Sequence, residues 1–272
     1  MLFSTGGLAI KASTLGAWQV AGLRSGIACA ILALGFPSIL RRIKRETVLI
    51  GLGYAATLLL FTLANKNTTA GNAIFIQNSA VIWILLLSRP LLAESIGRRE
   101  IATAAGLAVG VLCLFFSARN SQATAPDPAL GNTFALAASF SWALTLMGIR
   151  YLARETDGRG ESGLAATLIG NAMLFIFCLP IMEAPVGVAA EDWFWVFYLG
   201  AFQIALAYVL LTRGASGVPA FELSLLLLVE AILNPLWTFL FLGEAMGSLA
   251  LVGALIILTL LVVDAGARRA PN

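Results

Sequence analysis

Apolar stretches recur along the whole of this chain, separated by short polar connectors. Read in order, they run at about 2–12, 16–40, 47–65, 70–92, 101–118, 131–152, 163–181, 193–212, 220–242 and 248–263. A helix rises about 1.5 Å per residue, so roughly 20 apolar residues cross a hydrocarbon core about 30 Å thick. The pattern predicts an all-α polytopic membrane protein with ten transmembrane helices. The connectors are short except for 119–130, RNSQATAPDPAL, whose polar and proline-rich character marks a linker between two halves of five helices. The predicted units are therefore a first five-helix repeat over 1–118, an external linker over 119–130 and a second repeat over 131–272. Five is odd, so a repeated half must enter the membrane with inverted orientation. A faint repeat is visible: a shift of 150 lays 71–94 over 221–244, and Ile82, Leu86, Leu92 and Glu94 then match Ile232, Leu236, Leu242 and Glu244.

Composition removes the soluble alternatives. The chain is 60% hydrophobic and 11% charged, with a mean hydropathy of +0.92, whereas soluble domains run nearer 45–50% apolar and 25% charged. Basic residues resist translocation and collect on the cytoplasmic side. With the N-terminus inside, Arg41, Arg42, Lys44, Arg45, Arg98, Arg99, Arg150, Arg154, Arg159, Arg213, Arg268 and Arg269 are cytoplasmic, against Lys11, Lys66 and Arg119 outside. Both termini are accordingly expected in the cytoplasm, with the chain in the inner (plasma) membrane. Cys29, Cys113 and Cys178 all fall in apolar runs, there is no histidine, and no Gly-rich phosphate loop occurs. No metal, cofactor, nucleic-acid partner or enzymatic chemistry is expected; a small-molecule substrate, the lipid bilayer and a monomeric or weakly dimeric state are.

The stretch 220–242 carries the most informative chemistry. Glu230 lies about ten residues in, near the bilayer midplane, where a carboxylate costs several kcal/mol unless water or a partner receives it. Asn234 follows at i+4 on the same face, and Pro235 removes the N–H that would bond back to Ala231. One helix thus presents a carboxylate, an amide and a loosened backbone at mid-depth: a substrate-amine or proton site, or a carboxylate held by neighbouring helices for packing. Gln77 and Asn78 are the matching polar pair on the fourth span, as substrate ligands or as interhelical glue. Arg24 either pairs with Glu230, holds a substrate carboxylate, or bonds to loop carbonyls. Trp83, Trp142 and Tyr208, with Tyr54, Phe61 and Trp237, lie inside helices and either wall a cavity or pack. Glu94 and Glu244 close their helices near opposite faces, as gates or as caps on neighbouring helices. Gly22/Gly26 and Gly106/Gly110 have the spacing that lets helices approach closely.

These residues resemble the drug/metabolite transporter superfamily, in its ten-helix EamA-type branch. The resemblance rests on Leu242-Gly243-Glu244 and, more loosely, Leu92-Ala93-Glu94 at the ends of the two fourth helices, on Trp142 eight before Arg150 after Gly131-Asn132, on Arg24, and on the Asn-Pro-Leu-Trp around Pro235. The family often has Pro thirteen residues before the closing Glu, where this chain has Val81 and Ala231. The resemblance implies a secondary transporter exporting small metabolites, amino acids above all, aromatic or apolar ones included, by alternating access around a midplane site. The alternatives are a membrane-embedded binding or scaffold protein and an intramembrane enzyme without transport. With no nucleotide motif, a proton carried by Glu230 or facilitated diffusion would drive it. In the first half Phe3 stands eight before Lys11 as Trp142 does before Arg150, but with only two residues ahead of it, so the first helix is expected to lack about nine residues at its start.

Overall fold

The computed structural model describes residues 2–92, 97–117, 123–155, 160–214 and 229–269. Among these there are helices and turns and no β-strand. A short 3-10 turn (Leu2–Thr5) leads into α1 (Gly6–Ala12), followed by α2 (Ala17–Gly35), a 3-10 helix (Pro37–Arg42), α3 (Arg45–Asn67), α4 (Ala70–Gln77), α5 (Ala80–Leu92) and α6 (Arg98–Ser117). The second half gives α7 (Pro128–Glu155), α8 (Glu161–Cys178), α9 (Ala190–Tyr198), a π segment (Leu199–Leu206), α10 (Ala207–Gly214), α11 (Val229–Leu242) and α12 (Ser248–Arg269).

This is an all-α, multi-pass membrane protein. Among the described residues six helical stretches are long and apolar enough to cross a membrane, and shorter apolar helices cover Ile101–Phe116, Leu233–Leu242 and Ser248–Leu260. The first predicted span is the 3-10 turn plus α1. The start of the ninth, 220–228, part of the predicted linker and Glu94 lie outside the described residues. Large apolar side chains such as Leu86, Phe116, Ile176, Phe241 and Val262 point outward, while Arg24, Asn65, Asn171 and Asn234 are fully buried. That inversion suits a lipid solvent, in which polar groups must be received inside.

Helix α3 lies along α7 and α8, α2 packs on α8 and the π segment, α4 and α5 pack on α7, α6 runs against α12, and α11 packs on α1 and α4. Number the ten spans in chain order and advance both members of each pair by five. The third–sixth contact becomes the eighth–first, the third–seventh becomes the eighth–second, and the fourth–sixth becomes the ninth–first, all of which occur. The second–seventh, fourth–ninth and fifth–tenth contacts return to themselves.

Small residues allow these approaches. A Cβ at Gly170 would stand 2.4 Å from the Gly51 carbonyl oxygen, and one at Gly253 would stand 2.6 Å from that of Gly110. The predicted glycine pairs face partners: Gly106 and Gly110 meet α12, and Gly22 and Gly26 meet Cys178 and Phe175 of α8.

Three backbone features lie inside the fourth, eighth and ninth spans, away from their ends. Between α4 and α5 the Asn78 side-chain amide donates to the Ile74 carbonyl at 2.8 Å. The next amides then make i−3 bonds, Ser79 to Ile76 and Ile82 to Ser79, so the helix breaks there. The π segment is the second feature; at its Gly200, a Cβ would come within 2.7 Å of the Arg24 carbonyl. The third is Pro235, which lies inside α11 without interrupting it. The Thr238 hydroxyl donates to the Pro235 carbonyl at 3.2 Å, and the marked irregularities are those at Asn78 and the π segment.

Candidate functional site: a polar cavity among the helices

A cavity of about 30 Å³ opens where these irregular segments meet, near the middle of α3, α7 and the eighth span. Its polar wall is Glu230 from α11, Gln77 and Asn78 from the α4–α5 break, Gln203 from the π segment, Thr57 from α3 and Tyr208 from α10. Phe3, Leu58, Phe61, Ile74 and Trp142 supply the apolar wall. The volume admits about two water molecules and is far below the several hundred Å³ of a metabolite pocket.

Tyr208 is the hub of the aromatic wall. Its ring meets Tyr54 edge-on at 4.7 Å and Phe3 at 5.1 Å, with Trp142 at 6.2 Å. Such edge contacts hold large rings in fixed orientation. The Tyr54 hydroxyl accepts from the Asn171 amide at 3.1 Å, which fixes the ring behind Tyr208.

Glu230, Gln77, Asn78, Trp142 and Tyr208, all singled out from sequence, meet at this cavity. The other candidates stand elsewhere. Asn234, one turn along α11, is fully buried, and neither atom of its amide has a hydrogen-bond partner among the described residues. It fits a notch in α1, since a Cβ at Gly7 would be 2.2 Å from its Oδ1. Arg24 is not on the cavity wall and makes no ion pair with Glu230. Its Nη2 donates to the Leu58 carbonyl at 2.9 Å and to the Thr62 hydroxyl at 2.7 Å, behind α3. Trp83 is also off the cavity: its indole donates to the Ser139 hydroxyl at 2.9 Å and its ring abuts Phe140, joining α5 to α7. Among the described residues no cluster of His, Cys, Asp and Glu could hold a metal.

Glu244 is a cap. The Ala70 N–H at the start of α4 donates to its Oε1 at 2.6 Å, and Lys11 Nζ lies 2.9 Å from its Oε2. A carboxylate on an N-terminal amide satisfies a free donor and complements the helix dipole. Around this pair the same face is tied together further. Asp192 accepts from the Ser13 hydroxyl, the Thr14 amide and the Thr14 hydroxyl at 2.6–2.8 Å. Lys66 donates to the Ser13 carbonyl at 2.7 Å, and Thr68 to Asn132 at 2.8 Å. The opposite face carries Arg42 paired with Glu161 at 3.0 Å and Arg213 over the Phe36 ring.

Sequence reasoning passed over Gln203, Thr57, Phe3 and Ile74. Gln203 carried the signal that picked out Gln77, an amide in the middle of an apolar run. Thr57 carried none, because its hydroxyl bonds the Gly53 carbonyl of its own helix, as threonines commonly do in membranes.

The profile of the EamA-like transporter family matches residues 129–263. An uncharacterized transporter of Methanothermobacter thermautotrophicus is 24% identical over 208 residues, covering 74% of this chain and 58% of that protein. The chain thus spans less than two thirds of that relative's length. A solved crystal structure superposes with a TM-score of 0.71 at 22% identity, over 98% of this chain and 94% of the solved one; that likeness bears on the fold.

Proposed function

The chain belongs with the EamA-like transporters of the drug/metabolite transporter superfamily, and on that premise we propose that it exports small metabolites, amino acids foremost, by alternating access to the midplane cavity. The observation that carries the proposal is the cavity itself, where a carboxylate, three amides and an aromatic wall converge at two breaks in regular helix. Irregular backbone at membrane depth is tolerated where it lines such a cavity, and transporters built from repeats bind at this level. The five-span exchange of helix contacts supports two inverted repeats, 1–118 and 131–272 on either side of an external linker.

The lining suits an amphiphilic zwitterion. Glu230 would receive an ammonium group, the Gln77 and Gln203 amides a carboxylate, and the Phe3, Phe61, Trp142 and Tyr208 rings an apolar or aromatic side chain. Arg24, behind α3, is left out of that assignment. Glu230 is a carboxylate on the cavity wall, which supports a second task, exchanging a proton for substrate. The basic residues at the Arg42 and Arg213 face support that face as the cytoplasmic one, in the inner membrane.

The test is counterflow of labelled amino acids in liposomes, preceded by a thermal-shift screen of the purified protein against a metabolite panel. Exchange of unmodified substrate is expected for a compound that raises the unfolding midpoint. If no panel compound stabilises the protein and none exchanges, the reading is wrong.

A further inference from the structure

We infer that the Lys11–Glu244 ion pair is a latch that closes the cavity on the linker face. The inference rests on the reading that this cavity is exposed alternately to the two sides. Three of the elements that line the cavity, the Phe3 turn with α1, α4 and α11, run to that face, where Lys11 lies in the last turn of α1, Ala70 opens α4 and Glu244 follows α11. One carboxylate ties all three: Oε1 holds the Ala70 N–H at 2.6 Å and Oε2 holds Lys11 Nζ at 2.9 Å. Lys11 also donates to the Thr124 carbonyl in the connector between the halves. The two side chains are 4% and 1% exposed, so the pair is dry, and these helices cannot part at this face while it stands.

An ion pair suits a reversible latch better than an apolar contact does. Closed, the two charges lose hydration and gain each other; open, they lose each other and regain water, and these opposing terms nearly balance. Removing one charge upsets that balance in a definite direction. The remaining charge is unpaired in the closed state but hydrated in the open one, so the population moves toward open. Removing both charges leaves nothing to hydrate, and the closed state returns. A pair that merely supports the fold would behave otherwise, since its loss would loosen the protein generally.

The experiment reads access to the cavity, not transport. With Cys29, Cys113 and Cys178 replaced by alanine, Ile74→Cys puts a thiol on the cavity wall one turn from Ala70. Its reaction with a charged thiol reagent is timed on the protein in lipid nanodiscs, where both faces are reachable. Lys11→Met and Glu244→Gln should each speed that reaction by about tenfold or more, and the double variant, in which the glutamine oxygen still accepts from Ala70, should fall back to within about threefold of the parent. Leu146→Cys, buried in α7 away from the latch, should react at the parent rate throughout. Single variants that leave Ile74→Cys as slow as the parent overturn the latch, as does a double variant as reactive as the singles, or Leu146→Cys rising alongside Ile74→Cys. Access that follows the expected pattern in a protein that exchanges no substrate would sink the export reading and leave the latch standing.

Discussion

Asn234→Leu separates a ligand-binding amide from a structural one. Asn234 is fully buried with neither its oxygen nor its nitrogen hydrogen-bonded among the described residues, and an unsatisfied buried polar group costs about 1–3 kcal/mol. Leucine keeps the branch at Cγ and removes that cost. The notch opposes the gain: a Cβ at Gly7 would lie 2.2 Å from Oδ1, so a methyl group there presses on α1, and overpacking costs about 1–3 kcal/mol. The two terms nearly cancel, leaving a net change within about 1 kcal/mol, or about 4 °C in the unfolding midpoint. Midpoints can be followed by the reaction of the buried Cys178 thiol with a fluorogenic maleimide, with and without the compound that most stabilises the wild type. The expected outcome is a near-normal midpoint that the compound no longer raises. A fall of more than about 8 °C, some 2 kcal/mol, would mean that the amide holds the fold, and an intact ligand shift would mean that it does not touch the ligand.

Glu230→Gln should abolish accumulation driven by an imposed pH gradient while leaving downhill counterflow at least partly intact; a wild type indifferent to the gradient would remove the proton role. Gly170→Ala should lower the unfolding midpoint by about 4–10 °C, because its Cβ would meet the Gly51 carbonyl at 2.4 Å and overpacking at a helix crossing costs about 1–3 kcal/mol. Gly35→Ala, with nothing within 4 Å, is the control, and equal midpoints for the two would refute the packing account. Ala123→Cys, at an exposed position just before α7, should be labelled from outside intact cells by an impermeant reagent; labelling only after permeabilisation would reverse the proposed orientation.

Helix positions were legible because a membrane helix must be long and apolar wherever it touches lipid, a constraint written locally in runs such as 47–65. The glycine pairs were legible for a similar reason: Gly106 and Gly110 share one face of α6 and meet α12 on it. At Pro235 the helix continues, since losing one N–H does not by itself stop a helix that its neighbours hold in place. Backbone irregularity was missed at Asn78, where the following amides turn to i−3 bonds and the Asn78 side chain joins its own backbone N–H on the Ile74 carbonyl. The role of Glu244 was open because its contacts are tertiary: the amide it caps is 174 residues away in the chain.

The site was half legible, and the half that was hidden has one cause. A polar residue in an apolar run signals function or packing with equal force, and the difference lies in whether its donors are already used. Asn65, Asn67, Asn78 and Asn171 each donate to the carbonyl four residues back on their own helix, so those amide donors are received without any ligand. Gln77, Gln203 and Asn234 make no side-chain hydrogen bond among the described residues. Gln77 and Gln203 face the cavity beside Glu230, and Asn234 lies one turn beyond it on α11. Lipid offers a polar side chain nothing, so unsatisfied groups gathered at one level mark where water or a ligand must come. Arg24 stands between these cases: two acceptors on α3 hold its Nη2 behind the wall, while its Nε and Nη1 are buried with no hydrogen-bond partner among the described residues. For the amides of this chain, hydrogen bonds already made within the bundle therefore sort candidate sites better than depth does.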